Sequence, residues 1–477
     1  MVPSFIGRLR DHGAVHKINE YVREPWYVLI IALLTAISAV WGLELPVYTA
    51  FIVVGIFLCL LGDDLLALMP IVICCYIAPS VTNNPGRNEN SIFYLHHGGL
   101  YLIILAALFA VALIWRLVTD ADFGGRKFWT RKRSLTLGMV LLGFSYLLGG
   151  LGMERYAQFV GKQLAFSALQ FAAVLVMYFL FSGAVKWEKA PKDYFAWIGL
   201  AVGLAVLVQL ADNYLSGRIF MEGGQTIDRE LIATGWGMHN NIGGLLAMVL
   251  PFPFYLAYTR KRSWIYTLLA TVLLIGTMIS CSRTSMVIAA VEYGICSVLL
   301  LRRKETRKEN LYVYFGVLVA VTVVTIVVWE RLLNIFALFL EEIDLVSKRD
   351  LLFINGMKQF MEYPLFGGTF YPQGEYVPWD WAELEAFSSF FPPRWHNTLV
   401  QIGASCGIVG LCAYGFHRFQ TVRMLLRHRS TENLYIGMYL AALLIAGLMD
   451  NHFFNIGPVL LYSMALAFAE NIEQSTV

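Results

Sequence analysis

Charge is what this sequence has least of. Asp, Glu, Lys and Arg make up only 14% of its 477 residues, against 58% apolar residues and a mean hydropathy of +0.62. That leaves too little polar surface to cover a soluble globule of this size, so the chain reads as an integral membrane protein. Signatures of metal and nucleotide chemistry are missing too. The seven cysteines lie in or beside apolar runs without a CxxC pair, which argues against a disulfide framework and against a zinc site. His96-His97 has no further metal ligands near it, and Asp120-Ala121-Asp122 resembles a metal-nucleotide motif without the soluble domain such a motif needs. Neither a phosphate loop nor GxSxG occurs. No cofactor, no metal and no nucleic-acid partner is expected. The first 25 residues are polar and carry Arg8, Arg10, Lys17 and Arg23 without an apolar core, so no cleavable signal peptide is expected there.

What the sequence has in abundance is apolar runs of about 17 to 25 residues, the length that crosses a hydrocarbon layer of about 30 Å. Candidate spans begin near Trp26, Val47, Leu65, Gly98, Ser134, Leu164, Ala196, Asn240, Trp264, Met286, Leu311, Asn397, Leu434 and Ile456. The expected fold class is an all-α integral membrane protein of about 12 to 14 transmembrane helices, with one long extracytoplasmic loop carrying short helices. Along this alternation, 24 of the 36 Lys and Arg residues fall on one side, 11 on the other and one, Arg116, inside a span. The basic side faces the cytoplasm, which places both termini there. The expected organisation is a cytoplasmic segment 1–25, helices over 26–329, the extracytoplasmic loop 330–396, helices over 397–470 and a cytoplasmic tail 471–477. Charges are nearly absent from mid-span positions, Arg116 excepted, which disfavours a transporter.

The stretch around residue 396 is the sharpest candidate site. His396, flanked by Arg394 and Asn397, stands where the long polar loop enters a span, at a depth where a general base can be tuned. Arg283, in Ser280-Cys281-Ser282-Arg283-Thr284-Ser285, interrupts a nearly continuous apolar run from Trp264 to Leu301 at matching depth. Charge so placed faces a cavity or ligand, the alternative being a hairpin turn with a snorkelling arginine. Within the loop, Ser347-Lys348-Arg349-Asp350 has the form of a capping box before the apolar run Leu351 to Met361. The reading is a short amphipathic helix whose apolar side rests on the bundle or in the lipid interface. Arg349 in its first turn suits phosphate oxygens; an ion pair with Asp350 or Glu342 is the alternative.

Further along, Trp379 and Trp381 stand among acids, an arrangement that suits a sugar face or an interfacial aromatic belt. Acids exceed bases in this loop by about ten to five, so general attraction of anions is not its purpose. A third segment on the same face, from Gly223 to Asn241, carries Arg229, His239 and Asn241, which are candidates to line the same cavity.

In order, Asn240-Asn241-Ile242-Gly243-Gly244 with Pro251, Ser282-Arg283-Thr284-Ser285, Lys348-Arg349-Asp350 with Pro364-Leu365-Phe366-Gly367-Gly368, and His396-Asn397-Thr398-Leu399 with Gly407-Ile408-Val409-Gly410 resemble the O-antigen ligase and polymerase family. The resemblance covers roughly residues 225 to 415. It implies a GT-C-like bacterial enzyme of the cytoplasmic membrane. Such an enzyme moves a glycan from an undecaprenyl-diphosphate donor to an acceptor hydroxyl, a glycan or lipid-anchored core, on the outer face. It further implies metal-independent, inverting transfer, with Arg283 and Arg349 on the diphosphate and His396 on the acceptor hydroxyl. The candidate spans outnumber those usual in that family. A lipid-linked oligosaccharide flippase is the alternative function.

Overall fold

The computed structural model describes residues 4–78, 99–119, 133–153, 156–217, 219, 227–327, 349–371 and 394–472. Trp379 and Trp381, Ser347 of the capping box, His96-His97 and Asp120 to Asp122 lie outside the described residues, as does most of the 330–396 loop.

The described chain is almost wholly helical. Two short helices, α1 (Ser4–Arg10) and α2 (Gly13–Tyr21), lead into α3 (Pro25–Trp41), α4 (Glu44–Leu61), α5 (Leu68–Ile77), α6 (Gly99–Thr119) and α7 (Thr136–Leu147). α8 (Tyr156–Phe171) passes through a π turn (Ala172–Val176) into α9 (Met177–Ala184), and α10 (Tyr194–Leu215) follows. A two-residue hairpin, β1 (Ala233–Thr234) and β2 (Gly237–Met238), precedes α11 (His239–Val249) and α12 (Pro251–Thr259). The remainder is α13 (Ser263–Ile279), α14 (Arg283–Leu301), α15 (Arg307–Val327), α16 (Arg349–Glu362), α17 (Thr398–Arg427), α18 (Thr431–Ala446) and α19 (Ile456–Asn471).

Seven helical stretches among the described residues are long and apolar enough to cross a membrane, or eight if the bent pair α2 and α3 counts as one span. Four further apolar helices, α5, α7, α13 and α18, are shorter. The protein is an all-α integral membrane protein with several spans. Its outward surface keeps the apolar side chains that water would not tolerate, among them Leu100, Val118, Val287 and Ile326.

The buried core is centred on α10, α11, α12 and α19, whose glycines and alanines let neighbours approach closely. At Gly199, for example, a Cβ would meet the Phe252 ring at 2.1 Å. Arg116 is not a mid-span charge. It sits in the last turn of α6, and its guanidinium donates to the carbonyls of Gly62 and Asp63 at 2.7 Å each, closing the end of α4. Among the described residues, Glu292 does interrupt a span, buried midway along α14, so the sequence-based expectation about mid-span charge is corrected on both counts. An acidic residue amid Val291, Tyr293 and Ile295 was easy to read as part of the apolar run.

The 363–371 segment brings two glycine-bearing motifs together. Helix α17 breaks at Gly407, whose φ of 64° is open to glycine at little cost, and the break frees backbone groups. Gly368 N-H donates to the Ala404 carbonyl at 2.7 Å, and Ile408 N-H donates to the Pro364 carbonyl at 2.8 Å. A Cβ on Gly367 would stand 2.4 Å from the Cys406 nitrogen, and one on Gly407 would stand 2.4 Å from the Leu365 carbonyl oxygen. Pro364-Leu365-Phe366-Gly367-Gly368 therefore docks into the kink of α17. Gln359 of α16 seals the joint by donating to the Thr369 and Ala404 carbonyls. The helix that begins with Arg349 is thereby tied to the helix that follows His396.

Candidate active site

His396 begins the site because its backbone is held in a conformation that side chains rarely adopt. Its φ is 49°, in the left-handed region that disfavours residues with a Cβ. Asn397 immediately caps α17, its side-chain oxygen accepting from the Leu399 and Val400 N-H groups at 2.9 and 3.1 Å. The Asn397 amide donates to the Leu448 carbonyl, and Thr398 N-H donates to the Gly447 carbonyl at 2.7 Å. These bonds lock the mouth of α17 to the turn between α18 and α19.

That turn supplies the partner of His396. The Nδ1 of His396 lies 3.2 Å from Asp450 Oδ1. Asp450 is buried and also accepts from the Asn451 N-H at 2.6 Å. Burial works against its charge, but the hydrogen bond and charge of His396, with His452 and Arg394 beyond it, hold its carboxyl well below the usual carboxylate range. An ionised Asp450 accepts only, so the bond requires the proton on Nδ1 and leaves Nε2 as the second ring nitrogen. The His396 side chain is 34% exposed and that of Asp450 is 12% exposed, so the ring faces the approach and the carboxylate stands behind it. Gln401, one turn into α17, accepts from the Trp395 N-H at 3.1 Å and the Asn451 amide at 2.6 Å, bracing both sides of the pair.

Two adjacent glycines carry the geometry across to Arg283. Gly244 of α11 packs against the His452 ring, where a Cβ would be 2.5 Å from Cε1. Gly243, one residue earlier, packs against the turn before α14, where a Cβ would be 2.6 Å from that of Ser282. The His452 turn and the Ser282-Arg283 turn are thus held on consecutive residues of one helix. Arg283 is the first residue of α14, so the interruption seen in the sequence is a hairpin turn between two apolar helices, with the arginine at the helix start. Cys281 in that turn has a φ of 59°. Its thiol is pushed up by burial, with a hydrogen bond from Tyr214 and the charge of Arg229 opposing the shift.

The other candidates fall as follows. Asn241 joins the α19 end of the site, its side-chain oxygen accepting from the Asn455 amide at 3.0 Å. His239 is buried in the first turn of α11. Arg394 stands beside Asp450 and Tyr76; desolvation lowers its guanidinium from the ordinary value, and those two neighbours oppose the shift. Arg349 opens α16, and only its backbone is described. Sequence reasoning passed over Asp450, His452 and Gln401. The available signal was Asp450-Asn451-His452, a polar trio in a short turn between two apolar stretches on the face assigned to His396.

A multi-pass helical membrane protein with a buried carboxylate behind a half-exposed histidine, and with arginines at the neighbouring helix starts, has the form of a membrane-embedded enzyme. Residues 268–415 match the family model described as O-antigen ligase, and the match bears out the resemblance to the O-antigen ligase and polymerase family over less than half of the chain. No curated protein matches the chain. The matched stretch runs from α13 to α17 and contains Arg283, Arg349, Arg394 and His396. Asp450, His452 and the 227–241 segment lie outside it. The match supports glycosyltransferase activity of the O-antigen ligase type.

Proposed function

We propose that this protein transfers a glycan from an undecaprenyl-diphosphate carrier to an acceptor hydroxyl, by inversion and without a metal, at the outer face of the bacterial cytoplasmic membrane. The observation that carries the reading is the His396-Asp450 pair at the mouth of α17, with the His452 turn and the Ser282 turn that precedes Arg283 packed on consecutive glycines of α11.

In this reading His396 Nε2 takes the proton of the acceptor hydroxyl as its oxygen bonds to the anomeric carbon. The bond from that carbon to the diphosphate oxygen breaks, and the electron pair leaves with polyprenyl diphosphate. Asp450 keeps the ring in the right tautomer and stabilises the imidazolium that forms. Arg283 and Arg349 meet the charge that grows on the leaving group, the work a cation does in metal-dependent transferases. Arg229, His239, Asn241 and Arg394 line the approach, and Trp379 and Trp381 offer flat faces to the glycan. A lipid-linked glycan donor and an acceptor are the partners the family match implies in general. Both termini are assigned to the cytoplasm and the loop to the outside, on the asymmetry of Lys and Arg.

Glu292 is the observation favouring lipid-linked oligosaccharide transport instead. It is buried mid-span, and its Oε2 has no hydrogen-bond partner among the described residues. The test is in vitro transfer from an undecaprenyl-diphosphate oligosaccharide by purified protein with EDTA present, offering repeat units and candidate cores as acceptors. Transfer by wild type and none by His396→Ala, with donor binding kept, is the expected result. Equal transfer by both proteins overturns the base assignment. Donor crossing of a bilayer without transfer carries the transport reading.

A further inference from the structure

Helix α16 carries apolar side chains on two sides, one packed on protein and one exposed. The side packed on α17 is made of Leu352, Gly356 and Gln359, with Gly356 so close to Val400 and Trp395 that a Cβ would meet the Val400 side chain at 2.5 Å. The Phe360 ring also turns to α17, 3.6 Å from where a Cβ on Gly403 would stand, but a second row of large apolar side chains points away from the protein. Phe353, Met357 and Met361 follow one another at intervals of four residues, and Ile354 lies beside that row. All four are exposed, Met361 to 72%. Lys358 and Glu362, also four apart, form a second exposed row on the flank. Past its first turn, where exposed Asp350 and Leu351 mix the two outer faces, the helix has three sides, one against protein, one apolar and one charged.

A helix standing in water would put that apolar row inward. Lying in the plane of a membrane surface explains all three sides at once, with the apolar row among acyl chains and the charged flank at the headgroups. The neighbouring surface agrees. Leu365 is exposed just beyond α16, and its carbonyl accepts from the Val409 N-H of α17, beside the exposed Ile408. Leu399, at the start of α17, is exposed as well. The apolar row of α16 thus continues into the lipid-facing surface of a span that qualifies by length and hydropathy. We infer that α16 is immersed edge-on in the leaflet on the His396 side, and that acyl chains of membrane lipids cover Phe353, Ile354, Met357 and Met361. Immersion fixes the depth of the helix start at Arg349 independently of what the site transfers.

The test is photocross-linking of the full-length protein in its native membrane. Benzoylphenylalanine replaces Met357, Met361, Glu362 or, as the lipid-facing control, Ile408, and adducts are read by mass spectrometry after purification. The expected result is lipid adducts at positions 357 and 361 at a yield comparable with position 408, and at least several-fold fewer at 362. Cross-links from 357 and 361 to peptides of this chain or of another protein, or the absence of lipid adducts there while 408 gives them, would overturn the inference. Variants that fail to insert are recognised by their loss from the alkali-washed membrane fraction, and positions 357 and 361 decide independently of each other.

Discussion

The two ends of α5, about 15 Å apart along its axis, put charge to opposite uses. At its start, in the turn over residues 62–67, every described charge is answered from within the protein. Arg23 bridges Asp63 and Asp64 at 3.5 and 3.0 Å, Asn19 donates to Asp63, and Arg116 takes the carbonyls that end α4. At its finish, Tyr76 stands beside Arg394, which looks across to Asp450 and a half-exposed His396. One cluster is closed by mutual pairing and clamps α2, α4 and α6 together. The other has a buried carboxylate backing a ring that still reaches outward. Residue types are similar at the two ends, so composition does not separate a clamp from a site; the exposure of the last group in the chain of partners does.

The strongest way to break this contrast is at His396. His396→Ala is expected to lower glycosyl transfer by about two to four orders of magnitude while leaving the melting temperature near that of wild type. A loss of folding in step with activity would make the ring part of another clamp. Arg283 should come next. Arg283→Ala is expected to lower turnover by about a hundredfold, and Arg283→Lys, which keeps the charge but loses the planar fork, by less. Single-turnover kinetics with saturating donor would show whether the loss lies in the chemical step.

At the closed end the signs reverse. Arg116→Met leaves the Gly62 and Asp63 carbonyls without their donor and should cost about 2 kcal/mol of stability, read by thermal unfolding in detergent, with specific activity of the folded fraction unchanged. The smallest effect concerns acid. Asp450 has a folded-state carboxyl held below its ordinary value, so its stabilising contribution is complete above the unfolded value of about 4 and is lost as pH falls below it. Wild type should therefore lose stability on acidification through that range, and Asp450→Asn should lose less over the same interval. Parallel pH profiles for the two proteins would remove Asp450 from the account.

Much of the helical plan was legible because hydropathy and length are local properties. The described helices begin within a few residues of most expected starts, as at Pro25, Gly99, Tyr194, His239, Ser263, Thr398 and Ile456. Breaks were less legible. The kink at Gly407 is stabilised by the 363–371 segment, which reaches α17 through backbone hydrogen bonds that leave no periodic trace. Arg116 looked like a charge within a span because the last turn of α6 stays apolar around it. Glu292 was hidden by its apolar neighbours for the same reason.

Sequence alone determined that this chain lives in a membrane, roughly where its helices run, and that Arg283, Arg349 and His396 occur where apolar runs begin or break. Each follows from the cost of placing charge or unpaired backbone in hydrocarbon, which is paid residue by residue and shows in composition. Only the tertiary structure decided that Asp450 is the partner of His396, fifty-four residues away, and that Gly243 and Gly244 hold the Ser282 and His452 turns side by side. It also decided that the apolar row of α16 faces outward. Pairings between distant turns depend on which helices pack together, and packing is set by the fit of many side chains at once, which no single stretch of sequence records.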